Sequence, residues 1–177
     1  MITHPIEPVF DTNSRILILG SFPSVKSREQ GFFYGHPQNR FWKVLAAVFE
    51  DEVPATIPEK KAFLLRNHIA VWDAIHSCEI QGSSDSSIRN VTANDLRPLL
   101  ETADIQGIFV NGKTAEKLYQ KYTEPVCGRE AVYLPSTSPA NAAWSLDRLT
   151  EVWHNLIFGS RIPPMISAAP STFSGPN

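Results

Sequence analysis

Four short apolar segments, at residues 15–20 (RILILG), 69–72 (IAVW), 107–111 (GIFVN) and 131–134 (AVYL), are each followed by helical periodicity. Their apolar runs are continuous, not alternating, which is the pattern of strands covered on both faces. Strands separated by helices cannot be joined by hairpins, so they pair in parallel with the helices packed on either side. The expected fold is therefore α/β: a three-layer α/β/α sandwich around a central, mostly parallel four-stranded sheet.

The helices are placed by their apolar faces and their end signals. Residues 40–49 put Phe41, Leu45, Val48 and Phe49 on one face, and residues 59–67 follow Pro58 at a favourable first-turn position. Thr92 and Asp95 are candidate caps for a helix reaching Leu100, with Pro98 inside it. Residues 113–122 and 146–158 supply the remaining two. One domain over residues 1–162 is expected, followed by a disordered tail at 163–177 that is rich in proline and serine and has no periodicity.

A chain of 177 residues with 42% hydrophobic content is long enough for one sizeable core. No run approaches the ~18 apolar residues of a membrane span. The start, MITHPIEPVFDTN, lacks the basic and apolar regions of a signal peptide. A soluble cytoplasmic monomer is the expectation. Two cysteines, Cys78 and Cys127, are too few for a four-cysteine zinc or iron–sulfur site; two free thiols are expected, with one disulfide as the alternative.

The first strand ends in Gly20-Ser21 and opens a long polar and aromatic loop carrying Phe32, Phe33, Tyr34, His36 and Asn39. Loops at the carboxyl ends of parallel strands are where such folds bind ligands. Aromatic faces beside a histidine and an amide suit a flat polar ring such as a nucleobase. The net charge of −2 is unevenly spread: residues 12–43 hold five basic residues and one acidic residue, +4, against −6 for the remainder. Lys26 and Arg28 in that loop are candidate phosphate contacts. A basic, solvated surface gives the same composition.

The loops expected at one sheet edge are GSFPS with GHPQNRFW, WDAIHSCEIQGSSDSSI, NGKTAEK and LPSTSPANAAW. Together they resemble the uracil-DNA glycosylase superfamily, and within it the hypoxanthine-DNA (DNA-deoxyinosine) glycosylase branch, over residues 15–158. GSFPS…YGHPQNRFW combined with LPSTSPAN carries the specificity; single fragments are weak. The resemblance implies an α/β/α sandwich, a substrate of DNA containing a deaminated base, and no cofactor or metal. Such enzymes flip the nucleotide out of the duplex, because its glycosidic bond cannot be reached inside the stack.

Two departures from that pattern bear on the leaving base. Many members place Asp or Asn two residues after the first-motif glycine to position water; Phe22 stands there. Many carry His or Asn before the Pro-Ser of the last motif to stabilise a uracil oxyanion; that residue is Leu134. A purine can leave by protonation at a ring nitrogen and needs the missing donor less, which favours hypoxanthine.

By the resemblance, Asn39 is the catalytic candidate, its amide orienting water by donating and accepting together. It reads equally as the cap of the helix at Arg40. Asn111 is the candidate reader of hypoxanthine's C6 carbonyl and N1–H, a pattern adenine reverses; an ordinary Asn-Gly turn is the alternative. Gly20 and Ser21 would border the base, while Phe22, Phe33 and Tyr34 are candidates to sandwich it, at ~1–3 kcal/mol per stacking contact. Trp72 and Asp73 would shape the pocket floor, and His36 would touch base or phosphate. Ser136, Thr137, Ser138 and Asn141 are candidate phosphate ligands, with Pro139-Ala140 entering the minor groove. Lys26 suits a Schiff-base lyase less well than a phosphate contact. The rivals are a mismatch uracil or thymine glycosylase and a catalytically silent DNA- or nucleotide-binding module.

Overall fold

The computed structural model describes residues 1–159. Its centre is a parallel sheet in the order β3 (Ile69–Asp73), β2 (Ile16–Gly20), β6 (Gly107–Asn111), β7 (Val132–Leu134). Ile16 pairs with Ile69 on one side and Gly107 on the other, so the strand ends Gly20, Asp73 and Asn111 lie at one sheet edge.

Strand alternation divides the core in two. Ile16, Ile18, Val71 and Phe109 pack against α2 (Phe41–Val48), α3 (Ile57–Arg66) and α7 (Leu146–Phe158). Leu17, Leu19, Ile108 and Val110 pack against α4 (Arg97–Thr102) and α5 (Lys113–Leu118). Every residue of β2 is buried, as a strand covered on both faces must be. The three-layer architecture is thus the expected one. Local signals set the helix starts: Thr56 and Glu59 form a capping box on α3, and Ser145 accepts the Arg148 N–H on α7.

A second sheet was not expected. β1 (Ile2–Thr3), β4 (Ile75–Glu79) and β5 (Arg89–Ala93) pair antiparallel in the order β1-β4-β5. β1 has only two residues, and β4 and β5 are half-exposed with shifted register, so their pairing is tertiary and leaves little local pattern. Thr92 consequently lies in β5 opposite Ser77 and caps no helix, whereas Asp95 accepts the Arg97 N–H at 3.0 Å. The long loop after β2 contains α1 (Val25–Gln30), capped by Ser24 and ended by Gly31 at φ 75°. Six residues are too few to show periodicity. The helix expected to reach Tyr122 is regular only to Leu118, then widens over Tyr119–Thr123 before α6 (Glu124–Cys127).

The N-terminal segment is structural. Val9 and Val71 exchange both backbone hydrogen bonds at 3.0 Å, covering the edge of β3, and His4 N–H donates to the His76 carbonyl. Trp72 packs against both cores instead of flooring the pocket. Cys78 and Cys127 are both free thiols. Among the described residues, no helix is long and apolar enough to cross a membrane. The tail expectation for residues 163–177 lies outside the described residues.

Asn94 joins the two sheets. It is 5% exposed, and its Nδ2 donates to the Asp73 and Ile75 carbonyls, each at 2.9 Å. Asn94→Ala should destabilise the domain by about 1–3 kcal/mol, since buried acceptors lose their donor. Urea unfolding with a shared m-value checks it.

Candidate active site

A pocket of about 390 Å³ opens at the carboxyl edge of the parallel sheet. It brings together Gly20, Ser21, Phe22, Phe33, Tyr34, His36, Asn39, Asn111, Ser136, Thr137, Ser138, Pro139 and Ala140. Lys26, Arg28 and Asn141 do not line it.

Arg40 closes the site. Its Nη1 donates to the Trp144 carbonyl, and its Nη2 to the Ser138 carbonyl at 3.1 Å and the Asn141 carbonyl at 3.0 Å. Its backbone N–H donates to the Thr137 carbonyl at 3.1 Å. The first-strand loop is thereby fastened to the last-motif loop, about a hundred residues away in sequence.

The last-motif loop is braced from within as well. Thr137 is fully buried; its N–H donates to Asn111 Oδ1 at 3.2 Å, and Asn111 Nδ2 donates to Thr137 Oγ1 at 3.1 Å. Thr137 is therefore a brace and cannot touch phosphate, correcting that assignment. Asn141 Nδ2 donates to the Ser136 carbonyl at 3.0 Å and likewise fastens the loop. Ser138 Oγ accepts the Ala140 N–H at 3.1 Å, while Ser136 Oγ accepts the Ser138 N–H at 3.1 Å. Gly112, at φ 98°, lets this loop come close: a Cβ there would lie 3.2 Å from Ser136 Cβ.

Asn111 also donates to Tyr34 Oη at 3.4 Å. Both of its amide hydrogens and one carbonyl lone pair are thus engaged by protein. It is a bracket between loops, not a free amide facing a ligand. Two polar groups that remain available sit beside Gly20. A Cβ at that position would lie 2.5 Å from Asp73 Oδ1 and 2.8 Å from Tyr34 Oη, so only glycine admits both groups. Asp73 is 4% exposed; its Oδ2 accepts from His4 Nε2 at 2.8 Å, and its Oδ1 makes no hydrogen bond among the described residues. Burial, then the charge of Asp73, holds the Tyr34 phenol well above its ordinary pKa, so it remains an O–H donor.

Asn39 satisfies both of its expected descriptions in part. Its Oδ1 accepts the Phe41 N–H at 3.0 Å, capping α2 one residue before the formal cap Arg40, whose side chain makes no capping bond to the helix. That bond fixes which amide atom is oxygen. Nδ2 makes no protein hydrogen bond among the described residues, and Asn39 lines the pocket. His36 Nδ1 accepts the Gln38 N–H at 3.1 Å, so its neutral ring carries the proton on Nε2.

The aromatic sandwich needs revision. Phe33 is 1% exposed and packs beside Phe32 and His4, so it backs the wall and offers no open face. Tyr34, at φ 53°, stacks on Phe41 with centroids 3.8 Å apart, and Arg28 lies 5.6 Å over the Phe22 ring. Each therefore has one face occupied.

The basic mouth is also dispersed. Arg28 donates to the Pro23 and Gly82 carbonyls, Arg15 to the Thr12 and Ser14 carbonyls, and Lys26 pairs with Glu29 at 3.8 Å. Carbonyl acceptors at loop crossings consume guanidinium groups that composition alone counts as free.

Sequence reasoning missed Asp85 and the serines at 83–86 that border the pocket, and His4, which holds the lining residue Asp73. His4 precedes the first expected strand and carries no motif signal. QGSSDSS lies inside the WDAIHSCEIQGSSDSSI loop expected at that edge and has no motif of its own. Asp85 is exposed at the rim and accepts from Ser21 Oγ at 3.3 Å; partial desolvation by the pocket wall raises its carboxyl from the ordinary value, opposed by hydrogen bonds from Ser21 and Thr114.

Residues 7–157 match the Uracil DNA glycosylase superfamily. The chain is 35% identical over 153 residues to the hypoxanthine DNA glycosylase of Methanosarcina acetivorans, covering 85% of this chain and 96% of that protein. It is 33% identical over 139 residues to the hypoxanthine DNA glycosylase of Methanosarcina barkeri, covering 76% and 85%. A solution NMR structure described as a candidate uracil DNA glycosylase from Methanosarcina acetivorans superposes with a TM-score of 0.73 at 31% identity, covering 89% of this chain and 99% of that one. The chain belongs to the uracil DNA glycosylase superfamily.

Two outcomes follow from this geometry. Gly20→Ala should cost about 1–3 kcal/mol through overpacking and displace Asp73 or Tyr34, with base excision falling further than stability explains; melting temperature and single-turnover rate on one preparation check it. Asp85→Asn should raise stability at neutral pH only slightly, because the side chain is exposed and solvent screens its charge. The raised folded pKa means an ionised Asp85 opposes folding, fully so above that pKa. The gain should fade as pH falls through the ordinary value of 3.8, where both states protonate, as melting temperature against pH would record.

Proposed function

We propose that this protein is a monofunctional DNA glycosylase that releases hypoxanthine from deoxyinosine in DNA. The carrying observation is the pair beside Gly20: a Tyr34 hydroxyl whose oxygen already accepts from Asn111, and an Asp73 oxygen that meets no donor among the described residues. A donor next to an acceptor complements hypoxanthine's C6 carbonyl and N1–H. Adenine presents an amino donor and a bare N1 at those positions and is rejected. The names of the two archaeal relatives support the same substrate.

The carboxylate also bears on the leaving group. Uracil departs as an anion, and two unit charges about 4 Å apart repel by about 4 kcal/mol at an effective dielectric constant of ~20. A purine that is protonated at a ring nitrogen as it leaves escapes this penalty. An acceptor on N1–H raises the electron density of the ring and makes that protonation easier. This counts against the uracil alternative, which shares the carbonyl and N–H pattern.

Asn39 holds the attacking water through Nδ2 while Oδ1 keeps the helix start in place. Pro139-Ala140 reaches the duplex from the rim, with hydroxyl and backbone groups of Ser136 and Ser138 near the phosphates.

The test is a panel of duplexes carrying deoxyinosine, deoxyuridine or a G·T mismatch, each followed by alkali. Cleavage at deoxyinosine is expected; a binding module would retain the duplex and leave no abasic site. Asn39→Ala should lower the single-turnover rate by ~10² or more and cost about 1 kcal/mol of stability. Asn39→Ser, which keeps an oxygen for the cap, should recover the stability and not the rate. Recovery of both would reduce Asn39 to a cap.

A further inference from the structure

We propose that His4, brought in by the N-terminal strand, is a positioning residue for base recognition, holding the Asp73 carboxylate as an acceptor that faces the flipped base. The inference rests on the reading of Asp73 given under Proposed function.

Three observations carry it. His4 and Asp73 are 69 residues apart, yet their side chains are only 2% and 5% exposed and meet at 2.8 Å. Burying a carboxylate is costly unless it is paired, so a buried Asp at a pocket floor needs a dedicated partner. The imidazole is polarised in one direction: Nδ1 accepts the Ile6 N–H at 3.2 Å, so Nε2 carries the proton and donates to Asp73 Oδ2. A neutral imidazole in this tautomer leaves the negative charge on Asp73 and commits Oδ2. Oδ1 then faces the space over Gly20 as a pure acceptor. Finally, the ring is gripped by Phe22, edge-on at 5.8 Å, and Phe33 at 6.0 Å, which fixes its plane. Phe33 thus acts on the site through His4, not by stacking on a base.

Asp73 is also fastened through its backbone, its carbonyl accepting from Asn94. Both fastenings come from outside the parallel sheet. The small antiparallel sheet and the segment preceding β2 therefore set the orientation of a group at its edge.

The tautomer is read directly in the wild-type protein by imidazole ¹⁵N chemical shifts. A neutral ring with the proton on Nε2 is expected at neutral pH; a proton on Nδ1 overturns the proposal. Excision is then measured for His4→Phe, which keeps a ring in the aromatic grip without nitrogens, and for His4→Gln, which keeps an N–H donor. Single-turnover rates are taken on deoxyinosine and deoxyuridine duplexes at matched folded fraction. His4→Phe should lose ~10- to 100-fold on deoxyinosine, the scale of losing a partner that orients a functional side chain. Its preference over deoxyuridine should narrow, and His4→Gln should recover most of the rate.

In an Asp73→Asn background, His4→Phe should add about twofold or less, because both changes remove one unit. Wild-type rates in folded His4→Phe, or full multiplication of the two effects, would overturn the role of His4. An Asp73→Asn variant with unchanged rate and preference would instead sink the base-reading assignment itself.

Discussion

The pocket depends on one guanidinium. Arg40 points into the turn formed by the last-motif loop and satisfies the carbonyls of Ser138, Asn141 and Trp144, while its own N–H meets the Thr137 carbonyl. Arginine suits this because its five donors are held in a rigid plane, so several carbonyls can be met at once. The bonds join the start of α2, where Asn39 caps, to the loop that carries Ser136 to Ala140. Without them the two walls of the pocket would be separate surface turns. A residue adjacent to the catalytic candidate thus serves architecture, and its charge is spent before any phosphate arrives.

The same economy of partners recurs at Asn111. Its amide could read a base only if its hydrogens were free, and the fold uses them to hold Thr137 and Tyr34. Recognition passes to the groups this bracket orients. By donating to the Tyr34 oxygen, Asn111 leaves the phenolic proton as the outward-facing one, and burial keeps that proton on across the physiological range. On the other side of Gly20, the carboxylate of Asp73 is held by His4. A polar pocket acquires a fixed donor and acceptor order because each of its open atoms has a closed neighbour.

Stability is given up at the same place. Tyr34 holds a left-handed backbone conformation that is costly for a side chain of its size. Gly20 gives up the side chain that a buried strand would otherwise pack, because Asp73 and Tyr34 occupy its place. These are local departures from the most stable arrangement, and both border one opening. The surrounding sheet, with five consecutive buried residues in β2, supplies the rigidity that holds them.

The sequence by itself determined the layers and the neighbourhood of the site. Continuous apolar runs require strands covered on both faces, and parallel pairing sends the following loops to one edge, so GSFPS, HPQNRFW, NGK and LPSTSPAN had to gather there. The identities of Phe22 and Leu134 already argued against a mechanism built for uracil. Only the tertiary structure decided which side chains stay free in that neighbourhood. Hydrogen-bond valence is spent on partners distant in sequence, and no local pattern records that Thr137 is sealed, that Arg28 and Arg40 serve carbonyls, or that His4 reaches Asp73. The antiparallel strands were hidden for a related reason: β1 has two residues, and β4 and β5, though as long as β2, carry no continuous apolar run, so pairing alone makes them strands.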